Sequence, residues 1–436
     1  MRRRRWEQRP RCYHSRVMSI ATAPGPAPAP KSSTPPRSFK EVWLISAGHG
    51  FTHWYTGTFY ILLPVIGLQL GLSYTEIGVI MSVQHLAGAI ANIPGGMFVD
   101  NYGRKGYLMA VSLLWVGLPY ALMSFSQSFW WLLVCVAMVG IGNNLWHPAA
   151  IPALAQRFPE NKGRVLSFHG MGGNLGEAFG PLLVGAMLAV FSWQTVVWIN
   201  VVPGMLMALA ILVGLGAFAV GGGSVNAKGA KRSTREYLLE FKQLLKNRDV
   251  VLIAISSGFR SMTQNGLLIF LPVYLAYELK YTPAAIGVMM MVLQVAGFAA
   301  GPVGGELSDR LGRKRVVMSS MLMTAVVILA MVFAGSTQWF VFSVALLGFF
   351  LYATRPVMHA WAMEAAPASM GGATVGLQFA TSHFGSAISP LAFGLIADHY
   401  SVFAGFYFLV ATIVAANLLV CFLPGDSKPV PAAAHS

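Results

Sequence analysis

Charged residues are scarce in this sequence, and acidic residues are the scarcest. Only 10% of the 436 residues are charged, with 15 Asp and Glu against 30 Lys and Arg, whereas 56% are hydrophobic. Soluble domains carry about 25% charged residues, so this chain has too few polar side chains to cover a water-soluble globule. We therefore expect lipid to be its main solvent.

Cysteine is also rare, and no catalytic motif is recognisable. Cys12, Cys135 and Cys421 lie far apart, which excludes a disulfide framework and a cysteine-based metal site. The sequence shows no nucleophile–base pattern, phosphate loop or metal motif, so we predict no enzyme activity, no cofactor and no metal. The net charge of +15 does not indicate nucleic-acid binding, because the Lys and Arg residues concentrate in residues 1–40 and between apolar runs.

Long apolar runs make up most of the remaining chain. Many approach the roughly 20 residues with which a helix crosses a bilayer, and they are continuous rather than alternating as in a β-barrel. They predict an all-α polytopic membrane protein with twelve transmembrane helices in two pseudo-symmetric six-helix bundles. The predicted spans are 42–68, 76–98, 107–126, 129–155, 165–190, 194–219, 249–277, 284–306, 315–335, 338–363, 371–396 and 402–424.

The longest interior break separates the two predicted bundles. It begins with Gly-Gly-Gly-Ser and then becomes basic and amphipathic, which predicts a cytoplasmic linker with an interfacial helix. The N-terminal tail is basic and rich in Pro and Ala; it lacks the apolar segment of a signal peptide, and translation from Met18 is an alternative start. The predicted regions are a disordered tail 1–40, bundles 41–219 and 249–424, the linker 220–248 and a C-terminal tail 425–436.

The distribution of positive charge predicts the orientation. If the N-terminus is cytoplasmic, every Lys and Arg outside the spans except Lys280 lies on the cytoplasmic side. Arg260 and Arg355 lie inside predicted spans. This asymmetry follows the positive-inside rule and predicts a multi-pass protein of the bacterial inner membrane with both termini in the cytoplasm.

One short motif, G-x-x-x-D-x-x-G-R-K, occurs twice at an offset of 209 residues. Each copy lies on the predicted cytoplasmic face, between spans 2 and 3 and between spans 8 and 9. A duplication at about half the chain length predicts a transporter built from two related halves. The motif residues are Gly96, Asp100, Gly103, Arg104 and Lys105 in the first copy, and Gly305, Asp309, Gly312, Arg313 and Lys314 in the second.

The twelve-span plan and the doubled loop resemble the Major Facilitator Superfamily. Trp146-His147-Pro148, the run 172–176 and Gly180-Pro181-Leu182-Leu183 resemble the fosmidomycin-resistance type of efflux protein, although Ala149 stands where that type carries an acid. The resemblance implies alternating access, a cavity lined by spans 1, 4, 7 and 10, and a repeated loop that acts as a cytoplasmic latch. Anchoring of the basic residues at the anionic leaflet is the simpler alternative for the loop.

The 209-residue offset also relates small residues in spans 5 and 11, which predict close helix packing. In span 5 the pattern resembles the G-x-x-x-G-P motif of drug–proton antiporters, which favours efflux, with packing alone as the alternative. Val136 stands where those antiporters carry arginine, so either coupling uses Glu177 or a histidine, or the protein is not a proton antiporter. The predicted packing residues are Gly172, Gly176, Gly180, Pro181, Gly385, Ser389 and Pro390.

Polar side chains inside spans are the candidates for substrate binding, because such groups are costly in lipid and usually face a cavity or a partner. Structural pairing of the arginines with Glu177, Glu364 or backbone carbonyls is the alternative. His85, His169 and His383 are each expected to be satisfied core residues. The predicted substrate-binding residues are His49, His53, Asn143, Asn144, His147, Arg260, Gln264, Arg355 and His359.

Glu177 and His147 are the predicted proton-coupling residues. A carboxyl group in an apolar setting can exchange protons near neutral pH, and histidine titrates there without help. His49 and His53 lie one helical turn apart, but without a nearby acid or cysteine they form a weak ligand set, so no metal site is predicted.

These features predict a secondary transporter, with proton-coupled efflux of a small organic compound as the first hypothesis. The alternative is uptake of an organic or inorganic anion bound by Arg260 and Arg355, for which the run 173–176 is similar to nitrate-type porters. A non-transporting sensor would need a signalling domain larger than either tail. The expected partners are a small molecule, protons and the bilayer, with no nucleic acid, and the expected state is a monomer.

Overall fold

The computed structural model describes residues 39–102, 104–215, 242–334, 339–367 and 370–425, and the described chain is helical apart from short connections. It confirms the predicted all-α fold class of two six-helix bundles. The long helices are α1 Phe39–Leu70, α2 Tyr74–Tyr102, α3 Lys105–Leu122, α4 Phe129–Arg157, α5 Lys162–Met187, α6 Trp193–Leu215, α7 Arg248–Tyr277, α8 Pro283–Leu311, α9 Arg313–Ala334, α10 Trp339–Ala365, α11 Gly371–His399 and α12 Val402–Cys421.

Most of these helices have the length and composition of membrane spans. Among the described residues, α3, α4, α6 and α8 to α12 are long and apolar enough to cross a membrane. Bulky apolar side chains on their outer surfaces, such as Val213 at 80% exposure and Phe333 at 78%, suit lipid rather than water. Three of the more polar helices, α1, α5 and α7, carry His53, Glu177 and Arg260.

The two bundles use the same helix pairings. In the first half α1 packs on α5 and α6, α2 on α4, and α3 on α4 and α6. In the second half α7 packs on α11 and α12, α8 on α10, and α9 on α10 and α12. Between the halves α2 packs on α11 and α5 on α8, so the pseudo-symmetry extends to the interface.

The small residues of α5 and α11 lie where the backbones of paired helices approach closely. A Cβ atom at Gly176 would lie 1.9 Å from the carbonyl oxygen of Gly50 in α1, and one at Gly385 would lie 2.3 Å from that of Gly258 in α7. The hydroxyl of Ser389 donates to the carbonyl oxygen of Met262 at 2.6 Å. These contacts leave no room for a side chain between the paired helices.

The interface between the halves follows the same 209-residue register. A Cβ atom at Gly287 would lie 2.4 Å from the carbonyl oxygen of Pro181, and one at Gly78 would lie 2.3 Å from that of Pro390. Gly78 and Gly287 are themselves 209 residues apart. Pro181 and Pro390, which the 209-residue offset relates, therefore contact Gly287 and Gly78 of the other half. These two glycines were not among the predicted packing residues.

Only the second copy of the repeated loop is described in full. Gly312 adopts φ 99°, a conformation that favours glycine, between α8 and α9. Arg313 pairs with Asp309 at 2.6 Å and with Glu364 of α10 at 2.9 Å. Lys314 donates to the carbonyl oxygens of Cys421 and Leu423 at 2.9 and 2.7 Å, which ties α9 to the end of α12.

In the first copy, Arg104 is exposed and Lys105 is buried at the start of α3. Gly103 and the side-chain surroundings of Gly96 and Asp100 lie outside the described residues. The same holds for the predicted tail up to residue 38, for residues 216–241, which include most of the predicted linker 220–248, and for the C-terminal tail from residue 426.

Candidate substrate cavity and histidine cluster

A polar cavity of about 250 Å³ lies between the two halves. Helices α1, α2, α5, α7, α10 and α11 line it, and Glu177 is the one carboxylate among its described lining residues. The lining residues are His53, Thr56, Tyr60, His85, Glu177, Ser257, Arg260, Ser261, Gln264, Asn265, Leu268, Arg355, Met358, His359, Phe379, Ser382, His383 and Ser386.

The wall from the second half is basic. Arg260 on α7 is only 5% exposed, and its guanidinium donates to Gln264 Oε1 at 2.7 Å and to Ser261 Oγ at 3.3 Å. Arg355 on α10 is exposed to the cavity. Glu364, one possible partner of these arginines, pairs instead with Arg313 outside the cavity. Two guanidinium groups therefore face a single carboxylate.

The wall from the first half carries that carboxylate. Glu177 Oε2 on α5 lies 3.5 Å from His53 Nδ1 on α1, and the Glu177 side chain is 18% exposed. Facing it from the second half, Tyr352 on α10 donates its hydroxyl proton to Gln294 Oε1 on α8 at 2.5 Å.

Behind His53 lie three more histidines, His49, His147 and His169, which form a cluster of four with it. His49 Nδ1 lies 2.7 Å from the carbonyl oxygen of His169, and His49 Nε2 lies 3.1 Å from His147 Nε2. The rings of His49 and His169 stack with their centroids 3.8 Å apart and a 12° angle between planes. The ring centroid of His53 lies 4.6 Å from that of His49, so the cluster continues to the cavity wall.

The structure brings together some of the predicted substrate-binding residues and separates others. His53, Arg260, Gln264, Arg355 and His359 line the cavity with Glu177. His49 and His147 lie in the histidine cluster behind it. Asn143 donates to Thr56 Oγ1 at 3.1 Å, and Asn144 donates to the carbonyl oxygen of Gly140 at 3.1 Å. A Cβ atom at Gly88 would lie 2.0 Å from Asn144 Nδ2, so Asn144 faces α2 rather than the cavity.

Three histidines differ from the expectation that they are satisfied core residues. His85 and His383 line the cavity. His85 Nε2 and both ring nitrogens of His169 are buried without a hydrogen-bond partner in the described part of the chain. Asn265 also lines the cavity and donates to Ser386 Oγ at 2.7 Å. The sequence signal for Asn265 was a polar side chain inside a predicted span.

One end of the interface between the halves is closed by hydrogen bonds. The backbone N–H groups of Tyr74 and Thr75, at the start of α2, donate to the carboxylate of Asp398 at 3.0 and 2.7 Å. The hydroxyl of Tyr74 donates to Glu278 at 2.8 Å. Asp398 and Glu278 belong to the ends of α11 and α7, so these contacts join the two halves beside the cavity.

Two apolar helical bundles that are related by pseudo-symmetry and enclose a polar cavity between them are typical of a membrane transporter. The sequence profile of the Major Facilitator Superfamily matches residues 43–274 and 253–435, and the chain belongs to that superfamily. It is therefore a membrane transporter of small molecules and not an enzyme.

Relatives of this chain are named for different roles. The chain is 25% identical to the fosmidomycin resistance protein of Escherichia coli (strain K12), over 94% of this chain and 99% of that protein. It is 24% identical to the phosphoglycerate transporter protein of Salmonella typhimurium, over 87% and 88% of the two chains. A bacterial homolog of the human lysosomal transporter Spinster, solved in an inward-facing occupied conformation, shares the fold with a TM-score of 0.75 at 14% identity, covering 91% of this chain and all of that one.

Proposed function

We propose that this chain is a proton-coupled exporter of a small organic anion. The observation that carries the proposal is the exposed guanidinium of Arg355, which faces a cavity enclosed between the halves, with the buried guanidinium of Arg260 beside it. A planar guanidinium binds carboxylate and phosphate oxygens through paired hydrogen bonds, so this wall suits an anionic group.

Arg260 and Arg355 have different parts in the proposed binding mode. Gln264 and Ser261 already accept hydrogen bonds from Arg260, so this side chain is held in place before a ligand enters. Arg355 is then the group that contacts the anion directly. Asn265, His359 and His383 offer further polar contacts around the same volume.

Protons are the proposed coupling ion, with Glu177 as the carrier. Protonation of Glu177 would remove the negative charge that lies 3.5 Å from His53 and attracts Arg355 across the cavity. An anionic solute competes with the Glu177 carboxylate for the same Arg355 charge, so protonation of Glu177 favours solute binding and its deprotonation favours solute release. This linkage supports symport, the second candidate, whereas export requires that the proton and the solute bind in turn. His147, whose ring centroid lies 6.0 Å from that of His53, extends the proposed route away from the cavity.

The proposed orientation has both termini in the cytoplasm, by the positive-inside rule. The end closed by Asp398 is then periplasmic, and the structure corresponds to an inward-facing state. The repeated loops, including Arg104 and Arg313, lie at the opposite end and are proposed to form a latch when that end closes. We further propose that the N- and C-terminal bundles move as two units in a monomer.

Export is the first choice of direction because the similarity to the fosmidomycin resistance protein covers nearly all of both chains. Uptake of an anion is the second candidate, supported by the similarity to the phosphoglycerate transporter protein and by the two cavity arginines. Both directions use the same anion site, and they differ in whether protons and solute move in opposite or in the same directions.

The test is transport by the full chain reconstituted in vesicles, with phosphoglycerate and fosmidomycin, the compounds in the names of the two relatives, as probes. Antiport accumulates the solute when the vesicle interior is acidic, whereas symport accumulates it when the exterior is acidic. Arg355→Gln should lower anion transport by about 30-fold or more, because removing one partner of an enclosed charge pair costs about 2–5 kcal/mol. Lys280→Gln, outside the cavity, is the control; normal anion transport by Arg355→Gln would refute the proposed site.

A further inference from the structure

Three histidines from two helices direct their ring nitrogens towards one point beside the cavity. His49 and His53 lie on α1 and His147 on α4, and one nitrogen from each lies within 4.8 Å of the others. We propose that these three side chains form a binding site for a divalent first-row transition-metal ion such as Zn²⁺. The site is independent of which solute the transporter carries.

The hydrogen bond of His49 fixes the tautomer that metal binding requires. A carbonyl oxygen only accepts, so the contact of 2.7 Å with the carbonyl of His169 places the proton on Nδ1 of His49. Nε2 of His49 then presents its lone pair. Metal-ligating histidines usually donate their other ring N–H to a backbone carbonyl or a carboxylate in this way. The stacked ring of His169 also holds the His49 ring in its orientation.

His53 shows the other common arrangement of a metal-ligating histidine, in which the second ring nitrogen faces a carboxylate. Its Nδ1 lies 3.5 Å from Glu177 Oε2, which leaves Nε2 of His53 as the ligand atom. The carboxylate supplies a negative charge next to the site, which offsets the positive charge of a bound cation. The acid that sequence spacing alone did not place near His49 and His53 is therefore provided by α5.

The distances agree with imidazole coordination of a small cation. Ligand nitrogens at about 2.0–2.1 Å in a tetrahedral zinc site lie roughly 3.3–3.4 Å from each other. His49 Nε2 and His147 Nε2 are already 3.1 Å apart. The ligand nitrogen of His53 lies within 4.8 Å of the other two, so this partly exposed side chain has to move closer to them when it binds the metal.

The three imidazole ligands also determine which metal ions the proposed site would bind. Neutral imidazoles favour Zn²⁺, Co²⁺, Ni²⁺ and Cu²⁺ over Ca²⁺ and Mg²⁺, which prefer oxygen ligands. Three protein ligands leave a fourth position open to water or to a solute group. Because His53 lines the cavity, that open position faces the transported solute rather than the protein interior.

The experiment measures metal binding by the full chain, purified without a histidine tag and titrated with Co²⁺ and Zn²⁺ in the absence of solute. Wild type should bind one ion per chain, with visible Co²⁺ absorption bands that Zn²⁺ removes and Mg²⁺ does not. His53→Gln and His147→Gln should each weaken binding at least about 100-fold, because losing even a partner of a metal ligand costs about 10- to 100-fold. His85→Gln, which removes a histidine on α2 that also lines the cavity, should bind as wild type does.

Thermal unfolding without metal separates loss of the site from loss of the fold. Zn²⁺ should raise the Tm of wild type and of His85→Gln but not that of the two ligand variants. If one ligand variant is misfolded without metal, the other decides the result. Wild-type affinity in a folded His53→Gln or His147→Gln chain, or an equal loss in His85→Gln, would overturn the proposal.

Discussion

Arg260 and Arg355 carry the same charge but have different surroundings. Arg260 is 5% exposed and donates to Gln264 and Ser261, whereas Arg355 is exposed to the cavity. A buried charge with fixed partners adds a constant positive potential, while an exposed one can move to meet a ligand. We therefore assign direct solute contact to Arg355 and a supporting electrostatic role to Arg260.

Glu177 allows a test of coupling that is separate from solute binding. In Glu177→Gln the carboxylate that faces His53 becomes a neutral amide of the same size, so the proton site is removed and the anion site remains. Solute exchange between the two sides of a vesicle should continue, but accumulation driven by a pH gradient should be lost. Both quantities are measured with the same labelled anion in reconstituted vesicles.

Glu160→Gln is the matched control, because Glu160 belongs to the short helical turn between α4 and α5, away from the cavity. It should retain accumulation driven by the pH gradient. Persistence of that accumulation in Glu177→Gln would remove Glu177 from the coupling mechanism.

At the scale of helices, the contact between α1 and α5 depends on the absence of a side chain at Gly176. A Cβ atom there would lie 1.9 Å from the carbonyl oxygen of Gly50, and a backbone atom cannot move away as a flexible side chain can. Gly176→Ala should therefore lower stability by about 1–3 kcal/mol, as overpacking does in well-packed interiors. A lowered Tm in detergent is the measurement.

Gly170→Ala is the control on the same helix, because nothing lies within 4 Å of a Cβ atom at Gly170. Gly385→Ala and Gly376→Ala form the corresponding pair on α11, with and without an obstructing backbone. Equal Tm values for Gly176→Ala and Gly170→Ala would contradict the close approach of α5 and α1.

The order of helices was predictable from sequence, but the rotation of each helix was less so. Continuous apolar runs locate membrane helices because the bilayer fixes their length, and the 209-residue offset located the small residues of α5 and α11. Asn143, Asn144 and His147 of α4 were expected to face the cavity together. Instead, Asn143 contacts Thr56 on α1, Asn144 contacts Gly88 on α2, and His147 contacts His49 on α1.

The reason is that lipid is as apolar as a helix interface, so hydrophobic patterning does not tell which face of a membrane helix points inward. Adjacent residues such as Asn143 and Asn144 also point about 100° apart around the helix axis. The histidine cluster depends on three such rotations, those of α1, α4 and α5, and so could not be assembled from spacing alone.

At the scale of the whole molecule, alternating access requires that closure of one end be weak enough to reverse. The hydrogen bonds described at the closed end are exposed: Asp398 accepts two from the start of α2, and Glu278 accepts one from Tyr74. A carboxylate at a helix N-terminus is favourable because the first N–H groups lack partners within the helix. Such contacts stabilise one state without locking it.

Asp398→Ala should therefore shift the population towards the state that is open at this end. Because Asp398 is exposed, solvent screening limits the loss to about 1 kcal/mol, which corresponds to a roughly fivefold change in the ratio of states. The distance between the halves is measured with spin labels at Val190 and Tyr400, after Cys12, Cys135 and Cys421 are replaced. These two positions follow α5 and α11 and are 78% and 76% exposed.

Glu76→Gln is the control, since Glu76 accepts a hydrogen bond from Ser73 within its own half. The longer distance should gain population in Asp398→Ala alone, and identical distance distributions in all three proteins would show that Asp398 does not contribute to closure.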